Sequence, residues 1–232
     1  MKILLTNLPR QFETKDFTTP DYFLDNFMKY PPLGLLSIAT DVDKKHSLEI
    51  FDATVKNLTL EEMLKHIIGE KPDVLGISVV TRRLYAMHWL TREVKKNLPE
   101  IIIIAGGPHI NYFPKETIEL GFVDYAIAGW CEKSFPQLME AISSGQKEED
   151  ISKVPNLYYK KNGKSFNNPP GKDLIILDSL PFPNRKLINL YDYYTAADKE
   201  SMTTMYSSRG CPNKCIYCDV QEKMWHYRSA KN

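Results

Sequence analysis

Ile101-Ile102-Ile103-Ile104-Ala105-Gly106-Gly107-Pro108-His109 is an apolar run that stops at two glycines and a proline. It has no polar face to offer water, so it reads as a strand covered on both sides. It is far short of the roughly 18 apolar residues that cross a membrane. A strand buried on both faces belongs to a parallel sheet with helices above and below it, and its neighbours should repeat the pattern.

They do. Apolar runs at residues 2–6, 48–51, 73–80 and 122–128 read as four more strands. Helical segments separate them. Tyr30-Pro-Pro-Leu-Gly34 opens one that is expected to run through Lys45, with Pro32 in its first turn. Thr59-Leu-Glu-Glu62 is a capping box, and Leu60, Met63, Leu64, Ile67 and Ile68 form one apolar stripe after it. Residues 83–97 and 132–144 make two further helices, ending at Pro99 and Gly145.

This rhythm predicts an α/β fold, a Rossmann-like or flavodoxin-like sheet of five parallel strands in the order 2-1-3-4-5. Ligands of such sheets bind beyond the carboxyl ends of the strands. Three loops meet there. They bring Asn7 and Pro9, then Ser78 and Thr81, then Gly106, Gly107, Pro108 and His109. Glycines let a backbone approach a flat or phosphorylated ligand, and the hydroxyls can meet its polar groups or bond locally to the backbone.

Residues 149–200 change character. Asn162-Gly163 signals a hairpin, and Pro169-Pro-Gly171 and Pro181-Phe-Pro183 break regular structure. This stretch reads as a connector between domains. Residues 202–207 read as a strand leading into Cys211-Pro-Asn-Lys-Cys215-Ile-Tyr-Cys218, with the start of a helix beyond. Three thiols this close can converge on one metal, leaving one coordination position for a ligand that is not protein. A zinc site completed by His226 competes with that reading. A disulfide framework does not suit 4 cysteines in 232 residues without a signal peptide. Cys131 reads as a small apolar residue beside a helix start, and His46, His66 and His88 as surface or packing residues.

The chain carries 30 basic and 29 acidic side chains. Residues 151–232 hold 13 of the basic and 7 of the acidic ones, a mild excess that suits an anionic substrate or plain solvation. No run interleaves Lys or Arg with aromatics, which argues against nucleic acid. A cytoplasmic location fits the reduced thiols.

The cysteine loop, with Ser207-Ser-Arg-Gly210 before it and Tyr217 inside it, resembles the cluster loop of radical S-adenosylmethionine enzymes. Pro31-Pro-Leu-Gly-Leu-Leu36, Gly76-Ile-Ser-Val-Val-Thr81, Gly106-Gly-Pro-His109 and Asp124-Tyr-Ala-Ile-Ala-Gly129 resemble the cobalamin-binding domain that precedes the barrel in the cobalamin-dependent members of that family. The resemblance implies a cobalamin-binding domain over 1–148, a connector with a hairpin over 149–200, and the beginning of a radical S-adenosylmethionine barrel over 201–232. It implies a [4Fe-4S] cluster on Cys211, Cys215 and Cys218, S-adenosylmethionine on its open iron beside Tyr217, and cobalamin at the strand-end loops. It implies methylation of an unactivated carbon of a small molecule or natural product, with a flavodoxin or ferredoxin as electron donor. Some relatives cyclise or contract rings instead. A complete barrel needs on the order of 200 residues, so this chain alone is expected not to turn over.

Two departures from the family stand out. Other cobalamin enzymes carry Asp-x-His-x-x-Gly after the first strand, where this chain has Asn7-Leu-Pro-Arg-Gln-Phe-Glu13. Cobalamin is therefore expected with its own base displaced and no histidine on cobalt, with Arg82-Arg83-Leu84-Tyr85 as a candidate cover for the lower face. Relatives show Gly-Glu-Gly-Glu where this chain has Gly129-Trp-Cys-Glu132. Two rivals remain: a non-catalytic cobalamin-binding module, and a radical enzyme whose front domain handles substrate without cobalamin.

Overall fold

The computed structural model describes residues 1–9, 29–171, 176–194, 201, 203–218 and 226–229. Five parallel strands form the expected order: β2 (Ser47–Asp52), β1 (Lys2–Asn7), β3 (Val74–Ser78), β4 (Ile102–Gly106) and β5 (Tyr125–Ile127). Period-two alternation sorts each strand onto two faces. Leu4, Leu75, Ile103 and Ala105 pack on one side beneath α2 (Leu60–Glu70) and α3 (Leu84–Asn97). Ile3, Leu5, Val74, Ile104 and Ile127 pack on the other beneath α1 (Leu33–Ala39) and α5 (Ser134–Ser143). A short α4 (Pro114–Glu119), with proline at its first turn, and α6 (Glu148–Ile151) had no distinct sequence signal.

The capping box forms as read: the Glu62 N–H donates to Thr59 Oγ1 at 3.2 Å and the Thr59 N–H to Glu62 Oε2 at 2.9 Å. Leu60, Met63 and Ile67 are buried, while Leu64 and Ile68 lie at the edge of the stripe. The first helix is shorter than expected. It ends at Ala39, where the Thr40 hydroxyl bonds back to the Leu36 carbonyl at 2.7 Å, and turns carry the chain to Lys45.

The hairpin at Asn162–Gly163 forms, with φ of 51° and 74°. Its strands β6 (Leu157–Lys161) and β7 (Lys164–Asn167) do not stand apart as a linker. They extend the sheet, β6 running antiparallel to β5 with Leu157 opposite Ile127. The added hairpin covers an edge that the five-stranded reading leaves open.

The strand expected at 202–207 is corrected. Met202 lies outside the described residues, and residues 203–206 are not strand. A strand needs a partner ladder, and pairing begins only at β8 (Ser208–Arg209), antiparallel to β9 (His226–Tyr227). The helix expected after Cys218 would occupy 219–225, outside the described residues, as does the part of the first loop beyond Pro9.

Candidate functional site

Adjacent strands in register put Leu5 beside Gly76 and Gly76 beside Ile104, all facing α1 and α5. One row nearer the carboxyl edge, Asn7, Ser78 and Gly106 align in the same way. Two of these six positions are glycine where Leu or Ile would otherwise fill the layer. Gly34 does the same on α1, where a Cβ would meet nothing within 4 Å. Gly34 and Gly106 leave open space there, while the Leu5 side chain fills the place over Gly76, its Cδ2 2.5 Å from where a Cβ would stand. The cavity between the sheet, α1 and the entry to α5 has a volume of about 500 Å³.

Much of its wall is apolar, with Leu5, Leu35, Ile38, Ile104, Ile127 and Phe135. Ser78, Glu132, Ser208 and Arg209 supply polar groups to the same wall. Gly107 shapes the mouth. It has φ of +95°, and a Cβ there would stand 2.8 Å from the Val79 nitrogen and 2.9 Å from Ser78 Oγ. Val79 N–H donates to the Gly106 carbonyl at 2.8 Å and His109 N–H to the Val79 carbonyl at 3.0 Å, so the loops after β3 and β4 interlock.

Of the loop residues singled out by sequence, Ser78, Gly106 and Gly107 line the cavity. The others do not. Pro108 is exposed and Pro9 buried. Asn7 turns toward Asp52, a buried carboxyl at the end of β2. Burial pushes the Asp52 pKa up, against hydrogen bonds from Val55, Thr54, Tyr193 and Asn7. Thr81 Oγ1 lies 3.1 Å from His109 Nδ1, and the His109 ring stacks on Phe113. Burial lowers the pKa of that imidazole, favouring its neutral form. No histidine lines the cavity among the described residues. Arg83, in the loop offered as a lower cover, donates to the Leu8 carbonyl at 2.5 Å and Thr54 Oγ1 at 3.0 Å, tying the first two strand-end loops together. His66 stacks on Phe51 and His88 sits in α3 against Phe122, both packing roles.

Trp130, Cys131 and Glu132, the departure from the family pattern, prove to be cavity wall. Cys131 is partly exposed as a residue, but its sulfur packs on the core and donates to the Gly129 carbonyl at 3.4 Å. Burial pushes that thiol up to about 12, so it stays protonated and unreactive near neutrality.

Tyr206, Ser208, Arg209 and Gly210 close the cavity from the tail, and Cys211 follows directly. Cys211 and Cys218 are partly exposed, Cys215 and Tyr217 fully so. Among the described residues, no three Cys, His, Asp or Glu side chains are arranged to hold a metal ion, so the three sulfurs are not brought together. The donor chemistry fits an iron–sulfur cluster, with three soft thiolates in one eight-residue loop; their arrangement is not assembled. No helix among the described residues is long and apolar enough to cross a membrane.

Residues 27–139 match the family model for the B12 binding domain. An uncharacterized methyltransferase of Pyrococcus horikoshii, PH0819, is 31% identical over 205 residues, which is 87% of this chain and 44% of the relative. The anaerobic magnesium-protoporphyrin IX monomethyl ester cyclase of Synechocystis sp. is 27% identical over 207 residues, 87% of this chain and 40% of the relative. The cobalamin-dependent radical SAM methyltransferase TokK of Streptomyces tokunonensis is 28% identical over 169 residues, 69% of this chain and 23% of the relative. Among solved structures, the cobalamin-dependent S-adenosylmethionine radical enzyme OxsB with aqua-cobalamin bound superposes at a TM-score of 0.73 and 16% identity. That match covers 99% of this chain and 30% of OxsB, and it supports the fold. The chain spans less than half the length of the curated relatives it matches.

Proposed function

This chain belongs to the cobalamin-dependent radical S-adenosylmethionine family, and from that premise we propose that its glycine-built cavity holds the nucleotide tail of cobalamin and that its activity is methyl transfer to an unactivated carbon of a small molecule. The observation that carries this reading is the cavity. It opens at the carboxyl edge of a parallel sheet, where Gly34 and Gly106 leave space that a side chain would fill, and its roof is the segment leading into Cys211.

The tail of cobalamin ends in a flat apolar base joined to a ribose and a phosphate. The apolar part of the wall suits the base, and the hydroxyls of Ser78 and Ser208 suit the sugar–phosphate. Gly106 and Gly107 allow the corrin to lie against backbone. The cavity would hold the base away from the corrin, and among the described residues no histidine lines its wall. Arg83 and the interlocked β3 and β4 loops hold the platform rigid.

Cys211, Cys215 and Cys218 would hold a [4Fe-4S] cluster, leaving one iron for S-adenosylmethionine, with Tyr217 beside it. When bound, the cluster supplies a single low-potential electron and cobalamin a transferable methyl group. A small reducing protein of flavodoxin or ferredoxin type fits as electron source. Ring closure, the activity named for the Synechocystis relative, is a second use of the same cofactors.

An anaerobic titration with hydroxocobalamin, read by visible absorbance and by EPR of the cobalt(II) form, tests the reading. Saturable micromolar binding without nitrogen superhyperfine splitting is expected. No binding would overturn the cobalamin site. A clear nitrogen splitting would put a histidine or the cofactor's own base on cobalt and overturn the placement of the tail.

A further inference from the structure

We infer that Arg209 is a positioning residue: clasped by Glu132 and Ser37, it docks the cysteine loop on the mouth of the cavity, so that loop order and cavity occupancy form one linked equilibrium. This rests on the reading of the cavity as a cobalamin site.

Three separate segments meet at the clasp. Arg209 Nη1 lies 2.5 Å from Glu132 Oε1. Ser37 Oγ, on α1, donates to the same oxygen at 2.9 Å, and Arg209 Nη2 reaches Ser37 Oγ at 3.5 Å. The guanidinium lies 5.2 Å from the centre of the Trp130 ring and 5.4 Å from that of Tyr206. The Arg209 and Glu132 side chains are only 17% and 7% exposed, so the pair is shielded from water and salt. Removing either partner would strand a charge in a poorly solvated place.

Its position gives the clasp a consequence. Trp130, Glu132, Tyr206 and Arg209 are cavity wall, and Arg209 stands two residues before Cys211. Past it the loop is open to solvent, with Ile216 and Tyr217 exposed. Releasing Arg209 lifts the roof and frees the loop together. If the docked loop favours an occupied cavity, an occupied cavity must favour the docked loop by the same factor. A lysine could keep the charge but not the fork that spans Glu132 and Ser37, nor the stacking on Trp130.

The test uses the reduced, cluster-free chain. Alkylation of each cysteine by iodoacetamide is followed by peptide mass spectrometry, with and without methylcobalamin in the dark, and methylcobalamin affinity is measured in parallel. In the unaltered chain, methylcobalamin is expected to slow alkylation of Cys211 and Cys215 about fivefold, within the usual range of coupling between sites. Arg209→Gln and Glu132→Gln should each weaken methylcobalamin about tenfold, raise the ligand-free alkylation rate, and abolish the protection. Arg209→Lys should restore part of the protection. Ser37→Ala, a milder change, should move the same readouts in the same direction and serves if the charge variants fail to fold. Weaker binding with unchanged alkylation would make Arg209 only a wall residue and overturn the clasp. Unchanged affinity and unchanged alkylation would overturn it as well. No binding by the unaltered chain would instead overturn the cobalamin reading itself, and the linkage with it.

Discussion

Gly107 and Gly34 shape the same cavity for opposite physical reasons, and substitution separates them. Gly107 is needed by the backbone: its φ is +95°, and a Cβ would press on the Val79 nitrogen and Ser78 Oγ. Gly107→Ala should therefore destabilise the fold by about 1–3 kcal/mol, seen as a lower urea midpoint, and weaken cobalamin as well. Gly34 is not needed by the backbone, since a Cβ there meets nothing within 4 Å; on the cobalamin reading it is kept for the ligand. Gly34→Leu should leave stability within about 0.5 kcal/mol, because leucine suits a helix better than glycine while its side chain fills only empty space. It should nonetheless weaken hydroxocobalamin at least tenfold, by about 1.4 kcal/mol or more. Equal affinity in the two proteins would mean that the cavity does not take the tail. Sequence pointed to Ser78, Gly106 and Gly107 because strand ends of a parallel sheet are where ligands sit. It pointed equally to Asn7, Thr81 and His109, which the structure turns to Asp52 and to each other. Direction of a side chain at a loop depends on partners far along the chain, and no local pattern records it. Glu132 and Arg209, 77 positions apart, meet only through the fold.

At the scale of elements, what was legible was what packs periodically. The five strands were legible because each is a short apolar run, and α2 because a capping box opens an apolar stripe. That box also offers a control. Thr59→Ala removes the hydroxyl that accepts from the Glu62 N–H, and should cost about 1 kcal/mol and lower Tm by a few degrees. Cobalamin affinity should not change, because α2 covers the sheet face opposite the cavity. A loss of affinity as large as that of Gly34→Leu would mean that binding follows global stability and not the cavity. The less legible elements owe their form to tertiary partners. The hairpin at Asn162–Gly163 was plain, but its use as two further sheet strands depends on the open edge of β5. The strand expected at 202–207 has the right residues and, over 203–206, no ladder to join.

At the scale of the molecule, the segments after β7 return to the sheet and brace the loops that build the site. Asn184 Nδ2 donates to Asp43 at 2.6 Å, and its backbone N–H to Thr40 Oγ1 at 3.0 Å. The Tyr193 hydroxyl reaches buried Asp52 at 3.4 Å, and Arg209 closes on Glu132. The cavity thus has one wall from the first 135 residues and another from 206–210, and a ligand inside it stabilises both against unfolding. At a free concentration of about 100 times Kd, cobalamin should add about 2.7 kcal/mol, raising Tm by roughly 5–10 °C for a chain of this size. Cobinamide keeps the corrin and lacks the nucleotide tail, so on the proposed reading it would touch the strand-end loops and leave the cavity empty. At the same concentration as cobalamin it should give less than about half the shift, since apolar burial in the cavity carries the larger share of the binding. Equal shifts from the two would locate the binding energy at the loops. The open space beside Gly34 would then have some other occupant.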